Sequence, residues 1–100
     1  MTFPCSSQEP IQQTPTELLD YEINWATRGL GIDIIATSAW IASSSDITLT
    51  NETFTNTTTT FWLTGGIPGA YYTITNTITT EGGRTMQETI VYQCIAQRII

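Results

Sequence analysis

Between residues 71 and 94 the chain alternates. Tyr72, Ile74, Asn76 and Ile78 share one parity, and Tyr71, Thr73, Thr75, Thr77 and Thr79 share the other. A period of two over this length predicts a half-buried β-strand whose open side is a row of threonines. The branched Cβ of threonine suits an extended backbone and its hydroxyl tolerates water. Glu81, Gly82, Gly83 and Arg84 then predict a tight turn, because glycine reaches the positive φ that hairpins need. In the returning strand Met86, Ile90, Tyr92 and Cys94 face inward, opposite Thr85, Gln87, Thr89 and Gln93. Glu88 falls on the inward parity, near enough to the hairpin tip to be expected in water.

Upstream, "LLDYEINW" is a clean amphipathic strand, with Leu19, Tyr21, Ile23 and Trp25 alternating with Asp20, Glu22 and Asn24. A loop, "ATRGLGI", leads to the apolar strand "DIIATSAWIA", where Ile35 and Ile41 oppose Ile34 and Trp40. Either both of its faces are covered or a bulge shifts its parity. "DITLT" and "TTTFWLT" follow, then the turn "GGIPGA". Six or seven short strands with turn residues between them predict an all-β fold, a single immunoglobulin-like antiparallel β-sandwich, with a small barrel as the alternative. Residues 1–18 hold three of the four prolines and lack either period. They read as an extended N-terminal arm, leaving residues 19–100 as the sandwich.

Composition narrows the function. The 100 residues carry a net charge of −6 with only three basic side chains, Arg28, Arg84 and Arg98. A nucleic-acid partner would meet repulsion where it needs counterion release, so none is expected. No apolar run is long enough for a membrane helix, and no leader pattern is visible, so a membrane role is not expected either and a cytosolic site of synthesis is.

The absence of histidine and lysine removes the usual general base, Schiff-base amine, phosphate-binding lysine and most zinc sites. The nine acids are scattered, so neither a catalytic pair nor a cofactor or metal site is expected. Calcium held by Asp20, Glu22, Asp33, Asp46 and Glu52 at strand ends is the softer alternative. Cys5 and Cys94 are expected as free thiols rather than a disulfide, since Cys94 has the parity of a core residue. The "NET" and "NTT" sequons are chance matches in a chain so rich in Asn and Thr.

Trp25, Trp40, Trp62, Tyr71 and Tyr72 could form a sugar-stacking platform, but in a small sandwich most aromatics pack. Trp62 is the best interface candidate among them, because Phe61 and Leu63 claim the opposite face. Phe3 and Ile11 suit an arm that orders against a neighbour. Glu81 and Arg84 at the hairpin tip are either a docking point or a local ion pair.

The ordered set "LDYEINW", "DIIATSAW", "ITLTNETFTNTTTTFWLTGGIPGAYYTITNTITTEGGRT" and "ETIVYQC", spanning residues 19–95, resembles the small bacteriophage fiber-tail adaptor proteins. The resemblance implies a structural virion protein, not an enzyme, made in the host cytoplasm. It would attach tail fibers to the connector, portal or tail of a tailed phage, as a ring of identical copies. A sugar-binding or adhesive immunoglobulin-like module is the alternative.

Overall fold

The long hairpin is the spine of the molecule. In the computed structural model, described here over residues 10–97, the strands are β1 (Ile11–Gln13), β2 (Leu19–Asn24), β3 (Ile35–Ala42), β4 (Ile47–Phe54), β5 (Thr58–Gly65), β6 (Tyr71–Thr80) and β7 (Thr85–Cys94). One sheet has the order β1-β7-β6-β3 and the other β2-β5-β4. Every pairing is antiparallel except β1 with β7. The protein is therefore an all-β, two-sheet sandwich.

Strands β2-β5-β4 and β3-β6-β7 lie in the order of B-E-D and C-F-G in an immunoglobulin constant-type sandwich. The first strand differs, joining β7 rather than β2. Tyr72, at the start of β6, accepts a 2.9 Å hydrogen bond from the Ile67 N–H and donates to Asp46 Oδ2 at 3.2 Å. No disulfide joins the sheets: Cys94 is a buried free thiol, and Cys5 lies outside the described residues.

The inward parity of β6 and β7 is as expected. Tyr72, Ile74, Tyr92 and Cys94 pack with Ile47, Phe61 and Leu63 at one end, and Ile78 packs with Ile23, Trp25, Leu30 and Ile35 at the other. Trp40 touches both clusters, its ring 4.4 Å from that of Phe61. The conflicting parity of β3 is resolved by a register shift between Ile35 and Thr37. This bulge turns both Ile35 and Trp40 inward and leaves Ile41 67% exposed.

Asn76 lies wholly buried in the middle of this core. Its Oδ1 accepts from the Thr59 hydroxyl at 2.7 Å and from the Trp25 indole at 3.3 Å. Its Nδ2 donates to Ser38 Oγ at 2.9 Å and to the Ala39 carbonyl at 3.0 Å. One amide thus ties β6 to β3 in its own sheet and to β5 and the 3-10 turn Trp25–Arg28 across the sandwich. Glu88, expected in water, is buried instead. It pairs across the strands with Asn76 rather than sitting at the tip, and the Arg28 guanidinium reaches it at 3.4 Å. The chain can hold this carboxylate inside because Arg28, from the 3-10 turn, comes with it.

The sandwich begins before residue 19. Ile11–Gln13 forms β1, paired with Tyr92–Cys94. Three residues are too few to show a period, which is why composition alone assigned them to the arm. Gln13 is fully buried, its amide nitrogen donating to the carbonyls of Leu63 at 2.6 Å and Glu17 at 2.8 Å while its Oε1 accepts from the Tyr21 hydroxyl. The Tyr92 hydroxyl lies 2.9 Å from the Gly65 carbonyl and 3.2 Å from that of Gln13. Burial, with Cys94 beside it, pushes the Tyr92 phenol up.

Two expectations follow. Asn76→Ala removes four core hydrogen bonds, leaving the Thr59 hydroxyl without its acceptor and the Trp25 indole with only its 3.1 Å bond to Thr59 Oγ1, and should cost about 2–4 kcal/mol in urea unfolding, whereas Thr75→Ala on the opposite face should stay within about 0.5 kcal/mol. Removing residues 1–18 should lower the melting temperature, because it takes Gln13 and β1 with it; a melting temperature equal to that of the full chain would contradict the structural role given to Gln13.

Candidate functional site

The outward face of the four-stranded sheet is built by the parity opposite to the core. Its cross-strand rows run Thr37, Thr79, Thr85; Ala39, Thr77, Gln87; Ile41, Thr75, Thr89; Thr73, Val91; and Tyr71, Gln93, Gln12. No member is an acid or a base, in a chain of net charge −6. Polar side chains are tied across the strands: Thr37 to Thr79, Thr75 to Thr89 at 3.1 Å, Gln87 to Thr77 at 3.0 Å and Gln12 to Gln93 at 2.8 Å. Such ties hold rotamers in place, so a partner that covers them loses less side-chain entropy on docking. Between them Ile41, Tyr71 (62% exposed) and Val91 offer apolar area to water.

The other outward face differs in charge. Trp62 stands on β5 between Asp20 of β2 and Thr50 of β4, half-buried and opposite Phe61 and Leu63, as its parity predicts. Glu22 lies on β2, and Glu52 lies where β4 bulges between Thr50 and Thr53; both are exposed. The two sides of the sandwich are thus one neutral and one acidic.

At the hairpin tip Arg84 does not pair with Glu81. Its Nε meets Asp33 Oδ2 at 3.2 Å, its Nη1 donates to the Gly29 carbonyl at 3.2 Å, and its Nη2 donates to that of Leu30. The Gly82 N–H donates to Asp33 Oδ1 at 3.0 Å. A Cβ on Gly82 would stand 2.7 Å from Asp33 Oδ2, so a larger residue there would displace the carboxylate that Arg84 holds. Gly83 is required by its φ of +89°. The hydrogen bond from Thr80 holds the Asp33 carboxyl below the usual range. It works against desolvation, with help from Gly82, Arg84 and the Ile34 N–H.

With this geometry in hand, a comparison with known families is informative. The family model of the podophage GP4 fiber-tail adaptor protein gp77 matches residues 13–93. The chain belongs to that fiber-tail adaptor family. No curated protein matches it. The matched span opens at the buried Gln13 and closes at Gln93, so it takes in β2 to β6 whole, all of β7 but Cys94 and the last residue of β1.

Within this adaptor fold the expected interface residues are not brought together. Phe3 lies outside the described residues. Ile11 packs against the core at the Tyr92 end of β7, roughly 25 Å along the strand from the tip that holds Glu81 and Arg84. Trp62 is on the other sheet. Glu81 is exposed, but Arg84 is engaged within the molecule, because Asp33 and two carbonyls reach it from the loop before β3.

The sugar platform does not form. Trp25 and Tyr72 are buried, Trp40 is packed on Phe61, and Trp62 and Tyr71 face opposite sides. The five acids weighed for calcium are likewise apart, and among the described residues no group of three or more His, Cys, Asp or Glu is placed to hold a metal. Sequence reasoning missed Asp33 as the partner of Arg84, 51 residues away, and missed Ile41 as a surface residue, which only the bulge in β3 reveals.

The tip makes acid sensitivity an expected outcome. Because the Asp33 carboxyl is depressed in the folded state, its stabilising contribution is complete above the unfolded value of about 3.9 and is lost as pH falls through the lower folded value. Melting temperature should therefore drop below about pH 4, and Asp33→Asn should be lower near neutrality with a smaller drop. Arg84→Ala should cost about 1 kcal/mol by loosening the hairpin from the loop, since the pair is partly in water; an unchanged urea midpoint would contradict this.

Proposed function

We propose that the protein is a structural virion component of a tailed phage, an adaptor that holds tail fibers to the tail or connector. In this reading the neutral outward face of the four-stranded sheet is a docking surface. The observation that carries it is a charge-free sheet face of five cross-strand rows, with Ile41, Tyr71 and Val91 exposed, on a protein otherwise strongly acidic. Membership of the fiber-tail adaptor family supplies the setting. The role needs no catalysis, and none of its residues is asked for any.

The size of the face sets a limit. Three strands about 4.8 Å apart and about nine residues long, with the short β1 beside them, cover roughly 500 Å². A standard interface buries roughly 800 Å² per partner. One such face holds a partner weakly, so the isolated protein is monomeric or weakly associated. It becomes a defined ring of identical copies only on the phage platform, where further contacts add.

Replacing Ile41 and Thr75 together by Glu places two charges in the middle of this face without touching the core. The variant should keep the wild-type circular-dichroism spectrum and fall at least about tenfold in purified particles, measured by mass spectrometry. Incorporation at the wild-type level removes the face from consideration, and absence of the wild-type protein from virions removes the adaptor reading itself.

A further inference from the structure

Each sheet edge but one is obstructed. β2 carries the exposed charges Asp20 and Glu22. β3 is bulged between Ile35 and Thr37. β4 is bulged between Thr50 and Thr53, with Asn51 at a φ of 50° and Glu52 beside it. Charges and bulges are the devices by which strands avoid pairing with foreign chains. On the remaining side, β1 covers only Tyr92, Gln93 and Cys94 of the ten-residue β7. Among the described residues nothing pairs with β7 from Thr85 to Val91 on that side, and this stretch has neither a bulge nor a proline.

The phase of the ladder shows which groups are open. At one end Thr80 N–H donates to the Arg84 carbonyl, and at the other Cys94 N–H donates to that of Ala70. The register between them is unbroken, so the even-numbered residues of β7 bond to β6. The N–H and C=O groups of Thr85, Gln87 and Thr89 therefore point away from β6, toward the open side. Their side chains belong to the neutral face, while the inward row of the same stretch is Met86, Glu88 and Ile90. Glu88 is held by Arg28 through Oε1, but its buried Oε2 has no hydrogen-bond donor.

We propose that β7 from Thr85 to Val91 is a strand-addition site that takes an extended segment of a partner protein in the virion as the next strand of the sheet. The inference rests on the adaptor reading and deepens it. The segment is about seven residues long, roughly 23 Å. It is uncharged on its outward side to match the threonine row, apolar where it meets Met86 and Ile90, and carries a hydrogen-bond donor opposite Glu88. Main-chain pairing supplies affinity and the alternate side chains supply choice of partner.

Proline substitution isolates the backbone. Gln87→Pro and Thr85→Pro each remove one outward N–H that β6 does not use, whereas Gln87→Ala and Thr85→Ala remove the side chain alone. Assembled into particles in place of the native protein, the proline variants should be incorporated at least about tenfold less than their alanine counterparts. Their unfolding midpoints should stay near those counterparts. Thr85, at the start of its strand, serves if Gln87→Pro does not fold. Hydrogen exchange should show the Gln87 and Thr89 amides open in the free protein and protected in purified particles.

Equal incorporation of proline and alanine variants overturns the proposal. So does protection already present in the free protein that disappears when residues 1–9 are removed, since the chain would then cover its own edge. If the proline variants enter particles normally while the Ile41 and Thr75 double variant does not, the docking face stands and the strand-addition site falls. If the wild-type protein is missing from particles, both fall.

Discussion

The side-chain amide of Asn76 is the point on which the sandwich closes. A polar group in a dry interior is costly unless all of its hydrogen-bonding capacity is met. Here two acceptor and two donor bonds are made, to Thr59, Trp25, Ser38 and Ala39. Those partners lie on β3, β5 and the 3-10 turn, so the amide is satisfied in only one arrangement of the two sheets. A slip of β6 by one residue would turn Asn76 to water and Thr75 or Thr77 into the core, losing all four bonds at once. Apolar packing around it favours closure in general, and this amide makes one closure specific.

Gln13 plays the matching part at the other end. Its amide links β1 to β5 and to Tyr21, and its carbonyl lies beside the Tyr92 hydroxyl. With both inward faces committed to these contacts, the outward faces are free of structural duty and can diverge. One became a neutral, cross-tied threonine surface and the other an acidic one with Trp62. Among the described residues, β1 pairs with only three residues of β7.

Charge is arranged with similar economy. Arg28 and Arg84, the basic residues among those described, are both paired within the molecule, with Glu88 and Asp33. Arg28 makes a buried carboxylate tolerable, and Arg84 fastens the hairpin tip to the loop before β3. Among the described residues neither cation is left without a carboxylate partner.

The alternation of β2, β5, β6 and β7 was legible because a period of two follows from backbone geometry alone, and a face made of Thr at every other position can only be an outward one. Sandwich class, the inward set from Tyr72 to Cys94 and the outward side of Trp62 all came from that local rule. The same rule failed where its assumptions failed: β1 is too short to show a period, and β3 changes parity at its bulge, so Ile41 could not be placed. Partners far apart in sequence were hidden altogether. Asp33 with Arg84, Arg28 with Glu88 and Asn76 with Thr59 and Trp25 depend on which strands become neighbours and in what register. The amino-acid sequence by itself determined which side of each regular strand turns inward, since that is a property of consecutive residues; only the tertiary structure decided which buried polar groups meet and in what order the strands pair, since those are properties of segments that touch only after the chain has closed.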